Sequence, residues 1–165
     1  MTVVSVEKHQ EEMKMVVTSE WSASIASVWQ LWADPRLLER WWGPPGFPAR
    51  FEDYELAAGG TISYFMADAA GDNRFDGKWK VIEVDAPSRL VVADADLDAN
   101  GVPLDGNGLT HIEVDITPAG DKTRMVVTAR FDSIAGMEQQ LAMGIEEGMQ
   151  ACMGQIDAVL ADVPV

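Results

Sequence analysis

The sequence is poor in the residues from which catalytic and metal centres are most often built. Its 165 residues include one cysteine and two histidines, so an internal disulfide is excluded and a zinc site is not expected. No G-x-S-x-G segment is present, which removes the nucleophile elbow that such a segment forms. We therefore expect no metal and no cofactor, and we assign no catalytic residue.

Basic residues are also scarce. Twelve lysines and arginines stand against 27 acidic residues, for a net charge of −15. A surface of this charge repels phosphates, so neither nucleic acid nor an anionic membrane is expected as a partner. No apolar run approaches the ~20 residues that cross a bilayer, and no secretion signal follows Met1. The expected location is the cytoplasm, without membrane insertion.

The sequence does contain the composition of a globular domain. Hydrophobic residues make up 47% and charged residues 24%, as is usual for such domains. A single domain of this length buries roughly 70% of its unfolded surface. Residues 1–12 are polar and are predicted to be a flexible N-terminal tail, which leaves residues 13–165 as one domain.

The C-terminal part carries the longest periodic pattern. Apolar residues recur at helical spacing in residues 132–163, at Met137, Leu141, Ile145, Met149, Cys152, Ile156, Val159 and Leu160. The pattern predicts one amphipathic helix of about 28 residues and about 42 Å, capped by Asp132 or Ser133. Gly144, Gly148 and Cys152 form a row of small residues on it. That row either allows close packing against a sheet or leaves empty space.

The elements before this helix follow from turn and capping residues. Residues 13–21 predict a strand, and Ser24 and Asp34-Pro35 begin two short helices that end before Gly43. Six further strands are predicted near residues 48–56, 61–67, 73–84, 89–96, 109–117 and 123–131. Their short connections favour hairpins. The predicted fold is α+β, with an antiparallel sheet of about seven strands whose apolar face the long helix covers.

Local motifs add a family resemblance. The chain contains, in order, Val28-Trp29, Trp32-Ala33-Asp34-Pro35, Trp41-Trp42-Gly43-Pro44, Gly59-Gly60, Gly77 with Trp79, Pro87 with Arg89-Leu90, and Glu147-Gly148-Met149. From about Met13 to Leu160 it resembles the activator of heat-shock-protein-90 ATPase homologue family, within the START-like, birch-pollen-allergen-like helix-grip (SRPBCC) domains. The resemblance implies a curved sheet gripping the C-terminal helix around a cavity for small apolar molecules. Members usually carry an aromatic residue where Met149 stands.

Aromatic residues supply the candidate lining. If Leu56, Ile62 and Met66 point inward, the strand period of two places Tyr54 and Tyr64 inward as well. Their hydroxyls then bond either to the backbone or to a polar group of a ligand. The predicted ligand site comprises Trp42, Tyr54, Tyr64, Phe75, Trp79, Leu141, Gly148, Met149 and Cys152.

Few ionisable residues are candidates for chemistry. The same strand period sends Glu52, and with it Arg50, inward, where a carboxylate has a raised pKa and can act as a general acid or base. A register slip of one residue would reverse this inference. His111 shares a strand face with Glu113 and is expected to be exposed. The pKa of the Cys152 thiol is expected to be raised, because the nearby Glu146 and Glu147 disfavour the thiolate.

An acidic segment resembles a calcium loop in part. Its oxygen-bearing residues are Asp94, Asp96, Asp98, Asn100 and Asp105. Ala99 stands where such a loop needs glycine, and Asp105 stands where it needs glutamate. A solvated hairpin is predicted instead.

The leading hypothesis is non-covalent binding of a small, largely apolar molecule by a carrier, sensor or sequestering protein. An alternative is a cavity enzyme of the polyketide cyclase or dehydratase type, in which Glu52, Tyr54 or Tyr64 moves protons. The family resemblance alone suggests a third, contact with a chaperone, although fold does not fix function. The sequence does not set the oligomeric state, and a homodimer is left open.

Overall fold

One antiparallel sheet contains every strand of the computed structural model, which describes residues 2–43, 45–94 and 109–163. The sheet has eight strands in the order β1-β2-β8-β7-β6-β5-β4-β3. They are β1 (Thr2–His9), β2 (Lys14–Trp21), β3 (Ala49–Tyr54), β4 (Thr61–Ala67), β5 (Arg74–Asp85), β6 (Arg89–Asp94), β7 (Leu109–Ala119) and β8 (Lys122–Phe131). The meander from β3 to β8 is thus extended by the β1–β2 hairpin. The predicted α+β class is confirmed.

The N-terminal segment corrects the prediction of a flexible tail. Residues 2–9 form β1, which pairs with β2 from Thr2 opposite Glu20 to His9 opposite Lys14. A 3-10 turn at Gln10–Glu12 joins the two strands. The prediction was wrong because it weighed the polar residues and overlooked the β-branched residues between them, which favour strands. The sheet therefore has eight strands and not seven.

Two short helices follow β2 as predicted, α1 (Ile25–Ala33) and α2 (Pro35–Trp42). The Ser24 hydroxyl accepts a hydrogen bond from the backbone N–H of Ser27, and the Asp34 carboxylate accepts one from that of Arg36. Both are N-caps, and they satisfy donors that a helix leaves unpaired at its start. The caps fix where each helix begins and so which of its tryptophans face the sheet.

The helical region at the C-terminus is divided into three. It consists of α3 (Ile134–Ala142), α4 (Ile145–Met153) and α5 (Ile156–Ala161). Ser133 caps α3, whereas Gly144 ends the first segment with a φ of +92°. The predicted position is right, but the prediction of one continuous helix was wrong. Periodicity indicates which face is buried, but not whether the backbone stays helical at glycines, which have low helix propensity.

The core lies between the inner face of the sheet and these helices. Along β2 and β7, and along β8 except at the buried Thr128, the buried side chains alternate with exposed or half-buried ones, as predicted. Met137 of α3, Met153 of α4 and Ile156 of α5 are almost fully buried in the same cluster. The C-terminal helices therefore cover the apolar face of the sheet.

An ion-pair ladder crosses the outer face of the sheet. Arg89 on β6 contacts Asp115 at 2.7 Å, Glu83 at 3.1 Å and Glu113 at 3.6 Å. Arg130 on β8 also pairs with Glu113. Burial alone would raise the pKa of Glu113, but the hydrogen bonds and charges of Arg130 and Arg89 outweigh it and lower that pKa. Glu113 is therefore held in its ionised form.

Replacing two glycines by alanine, one at a time, tests whether the C-terminal helical region is divided at Gly144. A Cβ at Gly148, inside α4, meets no atom within 4 Å, so Gly148→Ala should stabilise the fold by about 1 kcal/mol. Gly144→Ala should destabilise it by about 1–2 kcal/mol, because alanine is strained at positive φ. Urea unfolding measures both. A stabilising Gly144→Ala would mean that the helix runs on without a break.

The ladder predicts a pH dependence of stability. Because the pKa of Glu113 is lower in the folded than in the unfolded state, its contribution is present above about pH 4.5, its ordinary pKa, and is lost as the pH falls through the folded-state pKa. Wild type should therefore lose stability more steeply than Glu113→Gln in acid. Urea unfolding between pH 3 and pH 7 measures the difference, with the exposed Glu138→Gln as control. If the free energies of unfolding of wild type and Glu113→Gln differ by the same amount at every pH, the lowered pKa assigned to Glu113 is contradicted.

Candidate ligand site

Helices α1 and α2 and strands β3 to β5 bring six aromatic rings together. We call these the aromatic cluster, and they are Trp32, Trp41, Trp42, Phe51, Tyr64 and Trp79. The Trp42 ring meets that of Trp79 edge-on, at 5.0 Å between centroids. Tyr64 lies 5.0 Å from both Trp79 and Phe51. The cluster joins the two short helices to strands β3 to β5, at one edge of the sheet.

A space of about 200 Å³ lies between this cluster, the sheet and α4. We call it the apolar space. It is lined by Trp32, Trp41, Trp42, Tyr64, Met66, Ile112, Val127, Ile145, Gly148, Met149, Cys152 and Met153. All of these residues are described, and none of them carries a charged side chain. Such a space suits an uncharged guest, because burying an isolated charge is costly.

The row of small residues on α4 serves three different purposes. At Gly148 a Cβ would meet no atom within 4 Å, and the residue borders the apolar space. Gly144 turns the backbone between α3 and α4. The Cys152 thiol donates a hydrogen bond to the backbone oxygen of Trp42 at 2.7 Å. The row therefore borders the apolar space at Gly148 and Cys152, and Cys152 also ties α4 to α2.

Gly77 sets the position of Tyr64. The two residues are opposite each other in the β4–β5 register. A Cβ at Gly77 would lie 2.5 Å from Oη and 2.6 Å from Cε1 of Tyr64, so the tyrosine ring lies directly over the backbone of β5. Sequence reasoning placed Gly77 in a motif but missed this role. An isolated glycine within a strand is the signal that indicates it.

A β-bulge overturns the predicted orientation of Glu52. The β3–β4 register shifts between Phe51 and Asp53, so Phe51 and Tyr54 both face inward although three positions separate them. The Glu52 side chain is 58% exposed and lies 3.9 Å from Arg74. Arg50 is exposed as well. The prediction that this glutamate and arginine point inward was wrong, because it assumed unbroken alternation.

Tyr54 does point inward, but it is already engaged. Its hydroxyl donates a hydrogen bond to the backbone oxygen of Trp32. Burial, assisted by the charge of Asp34, raises the pKa of the phenol. The sequence left two partners open for this hydroxyl, a backbone group or a polar group of a ligand. In the structure its partner is the backbone.

The predicted site residues divide into those beside the apolar space and those elsewhere. Five border it: Trp42, Tyr64, Gly148, Met149 and Cys152. Trp79 and Tyr54 pack within the surrounding core, and Leu141 borders a groove beside residues 8–12 instead. The side chain of Phe75 is outside the described part of the structure. Sequence reasoning missed Trp32, Trp41, Met66, Ile112, Val127, Ile145 and Met153.

Cys152 is held as a neutral thiol. Its burial raises the pKa to about 12. The predicted direction was right but the predicted cause was wrong, because burial and not the neighbouring glutamates produces it. A thiol with this pKa is a poor nucleophile at neutral pH.

The remaining candidates lie away from the apolar space. His111 is half-buried on β7, opposite Arg130 in the register with β8. In the acidic segment, residues 95–108 and the side chain of Asp94 fall outside the described residues. Within the described ranges, no three His, Cys, Asp or Glu side chains are grouped so as to hold a metal ion. No helix among those ranges is both long and apolar enough to span a membrane.

The sheet, the two short helices after β2 and the helical cover over an apolar space define a helix-grip domain of the SRPBCC type. A family model described as Activator of Hsp90 ATPase homolog 1-like protein matches residues 22–161. The chain belongs to this family, which confirms the resemblance that the motifs indicate.

Solved structures agree with this assignment. A protein of Arthrobacter aurescens, solved by NMR, is 41% identical with a TM-score of 0.87, over 98% of this chain and 94% of that one. A crystal structure from Mycobacterium smegmatis is 31% identical with a TM-score of 0.83, over 97% and 98%. An AHSA1-like protein of Aeromonas hydrophila, at 21% identity and a TM-score of 0.67 over 92% and 99%, shows the same fold. No curated sequence gives a match.

The contact between Gly77 and Tyr64 can be tested by a double-mutant cycle. Gly77→Ala should destabilise the fold by about 1–3 kcal/mol, because the new methyl group displaces the Tyr64 ring. In a Tyr64→Ala background the same change should cost almost nothing. Urea unfolding of the four proteins gives the coupling energy. Equal costs in both backgrounds would show that the ring does not lie over Gly77.

Proposed function

We propose that the protein binds a small, largely apolar molecule in the space between the sheet and helix α4. The observation that carries this proposal is the opening at Gly148, where a helix over the core lacks a side chain and nothing fills its place. Ligand sites are mostly apolar clefts in the surface of a protein. The apolar space, which is partly open to solvent, suits a guest molecule in this way.

The volume limits the size of that molecule. An apolar cavity of about 150 Å³ accepts benzene, whereas the pockets that bind drug-sized ligands have volumes of about 300–1,000 Å³. The apolar space, at about 200 Å³, therefore suits a guest of one ring or two fused rings. Met66, Met149 and Met153 line it, and their flexible side chains adapt to different shapes.

The positions of the candidate proton carriers favour binding over catalysis. Glu52 faces solvent and the Tyr54 hydroxyl is bonded to the backbone of Trp32. Of the three residues considered for a cyclase or dehydratase, only Tyr64 borders the apolar space. General acid–base chemistry needs a group within hydrogen-bond reach of the reacting atom. A carrier, sensor or sequestering role requires the apolar walls but no acid–base group.

A thermal-shift screen with uncharged one-ring and two-ring aromatic compounds tests this proposal. A compound at ~100 times its dissociation constant should add roughly 2.7 kcal/mol to the stability of the wild type. Gly148→Leu should fold but lose this gain, because the leucine side chain occupies the space. Gly148→Ala is the matched control and should keep most of it, since a single methyl group fills little of the volume.

Two results would contradict the proposal. One is a wild type that no compound in the screen stabilises. The other is a Gly148→Leu variant that gains as much stability as the wild type, which would place the binding elsewhere on the protein.

A further inference from the structure

Four of the side chains that line the apolar space contain sulfur. The residues are Met66, Met149, Cys152 and Met153. A hydroperoxide oxidises cysteine through its thiolate, whereas the thioether of methionine needs no deprotonation and becomes a sulfoxide. The sulfoxide is polar and disrupts an apolar core or interface that contains it. The wall of the proposed ligand site is therefore built in part from residues whose polarity an oxidant changes.

Two of these four residues are shielded from an oxidant. Met153 is 1% exposed and packs in the core. The Cys152 thiol is buried and bonded to the backbone oxygen of Trp42. Burial raises the pKa of this thiol to about 12, so almost no thiolate is present at neutral pH. Oxidation of the wall therefore begins at the other two residues.

These two, Met66 on β4 and Met149 on α4, are half-buried. The space that they line is partly open to solvent, so a molecule as small as hydrogen peroxide can enter it. Beside Met149, Gly148 presents no side chain, and a Cβ built there would meet no atom within 4 Å. Solvent therefore reaches one methionine on the sheet and one on the helix that covers it.

The surroundings make a sulfoxide unfavourable for an apolar guest. None of the residues that line the space carries a charge, and its surface is almost entirely apolar. A sulfoxide oxygen that is turned toward an apolar guest meets no hydrogen-bond donor on it, which costs free energy. A sulfoxide that turns toward solvent takes its side chain away from the guest. In both cases the guest is bound more weakly.

We propose that Met66 and Met149 are oxidation sites, at which a hydroperoxide converts the thioether to the sulfoxide and so releases the apolar guest. The sulfur lone pair attacks one peroxide oxygen and the O–O bond breaks. The departing hydroxide takes the proton from the transferred oxygen, so sulfur is oxidised and hydrogen peroxide is reduced to water. Methionine sulfoxide reductases reverse the change. This inference rests on the proposed function and adds a means of release to it.

Mass mapping of oxidised methionines tests whether these sites react. In hydrogen peroxide at neutral pH, Met66 and Met149 should oxidise at least about tenfold faster than the buried Met153, because susceptibility follows exposure. A saturating amount of indane, a hydrocarbon of two fused rings, should slow both by about fivefold or more, because it covers them. Met143 is the internal control, since it is 71% exposed and does not line the space. Its rate should not change with indane.

NMR titration with indane measures the effect on binding. Peroxide-treated wild type should bind indane about tenfold more weakly than untreated wild type, the cost of one unpaired polar group. In the double variant Met66→Leu with Met149→Leu, the wall stays apolar at nearly the same volume. Its affinity should lie within about threefold of the untreated wild type, both before and after peroxide. Met143→Leu is the matched control and should lose affinity after peroxide as the wild type does.

The outcomes separate the inference from the proposed function. If treated wild type stays folded, carries both sulfoxides and binds indane unchanged, the inference fails and the proposed function stands. The inference also fails if Met66 and Met149 react as slowly as Met153, if peroxide unfolds the wild type, or if the double variant loses affinity as the wild type does. If untreated wild type binds no indane, both fail. Protection of the two methionines by indane decides the question even if the double variant does not fold.

Discussion

The apolar face of the sheet has to be covered, and the rest of the structure depends on how that is done. Burial of apolar surface is the dominant favourable term in folding. Helices α1 and α2 cover part of the face with tryptophans, and α3 to α5 cover the rest with Met137, Met153 and Ile156. The second cover is segmented and lacks a side chain at Gly148. The apolar space lies at the joint between the two covers.

The predictions succeeded where a pattern depends on burial alone and failed where the backbone departs from regularity. Alternation of period two located the strands, and the caps at Ser24 and Asp34 located the short helices. The bulge after Phe51 and the left-handed backbone at Gly144 leave the apolar pattern nearly unchanged. Neither change alters the periodicity of the sequence. The bulge nevertheless places Glu52 on the outer face of the sheet, and the backbone at Gly144 divides the helix.

The same distinction explains the candidate site. Trp42, Gly148, Met149 and Cys152 could be found because the motifs or the small-residue row mark them, and Tyr64 could be found from the alternation along its strand. Ile112 and Val127 could not be distinguished from any other inward residue of a strand, since only the three-dimensional path of α4 decides which of them it leaves uncovered.

Xenon tests the central claim most directly, because this atom enters dry apolar cavities without needing a specific contact. A crystal of the wild type under xenon pressure should show a xenon atom beside Gly148, within contact of Met149 and Trp42. A crystal of Gly148→Leu under the same pressure should show none there. Wild-type side chains that interlock beneath α4 and admit no xenon would contradict the account.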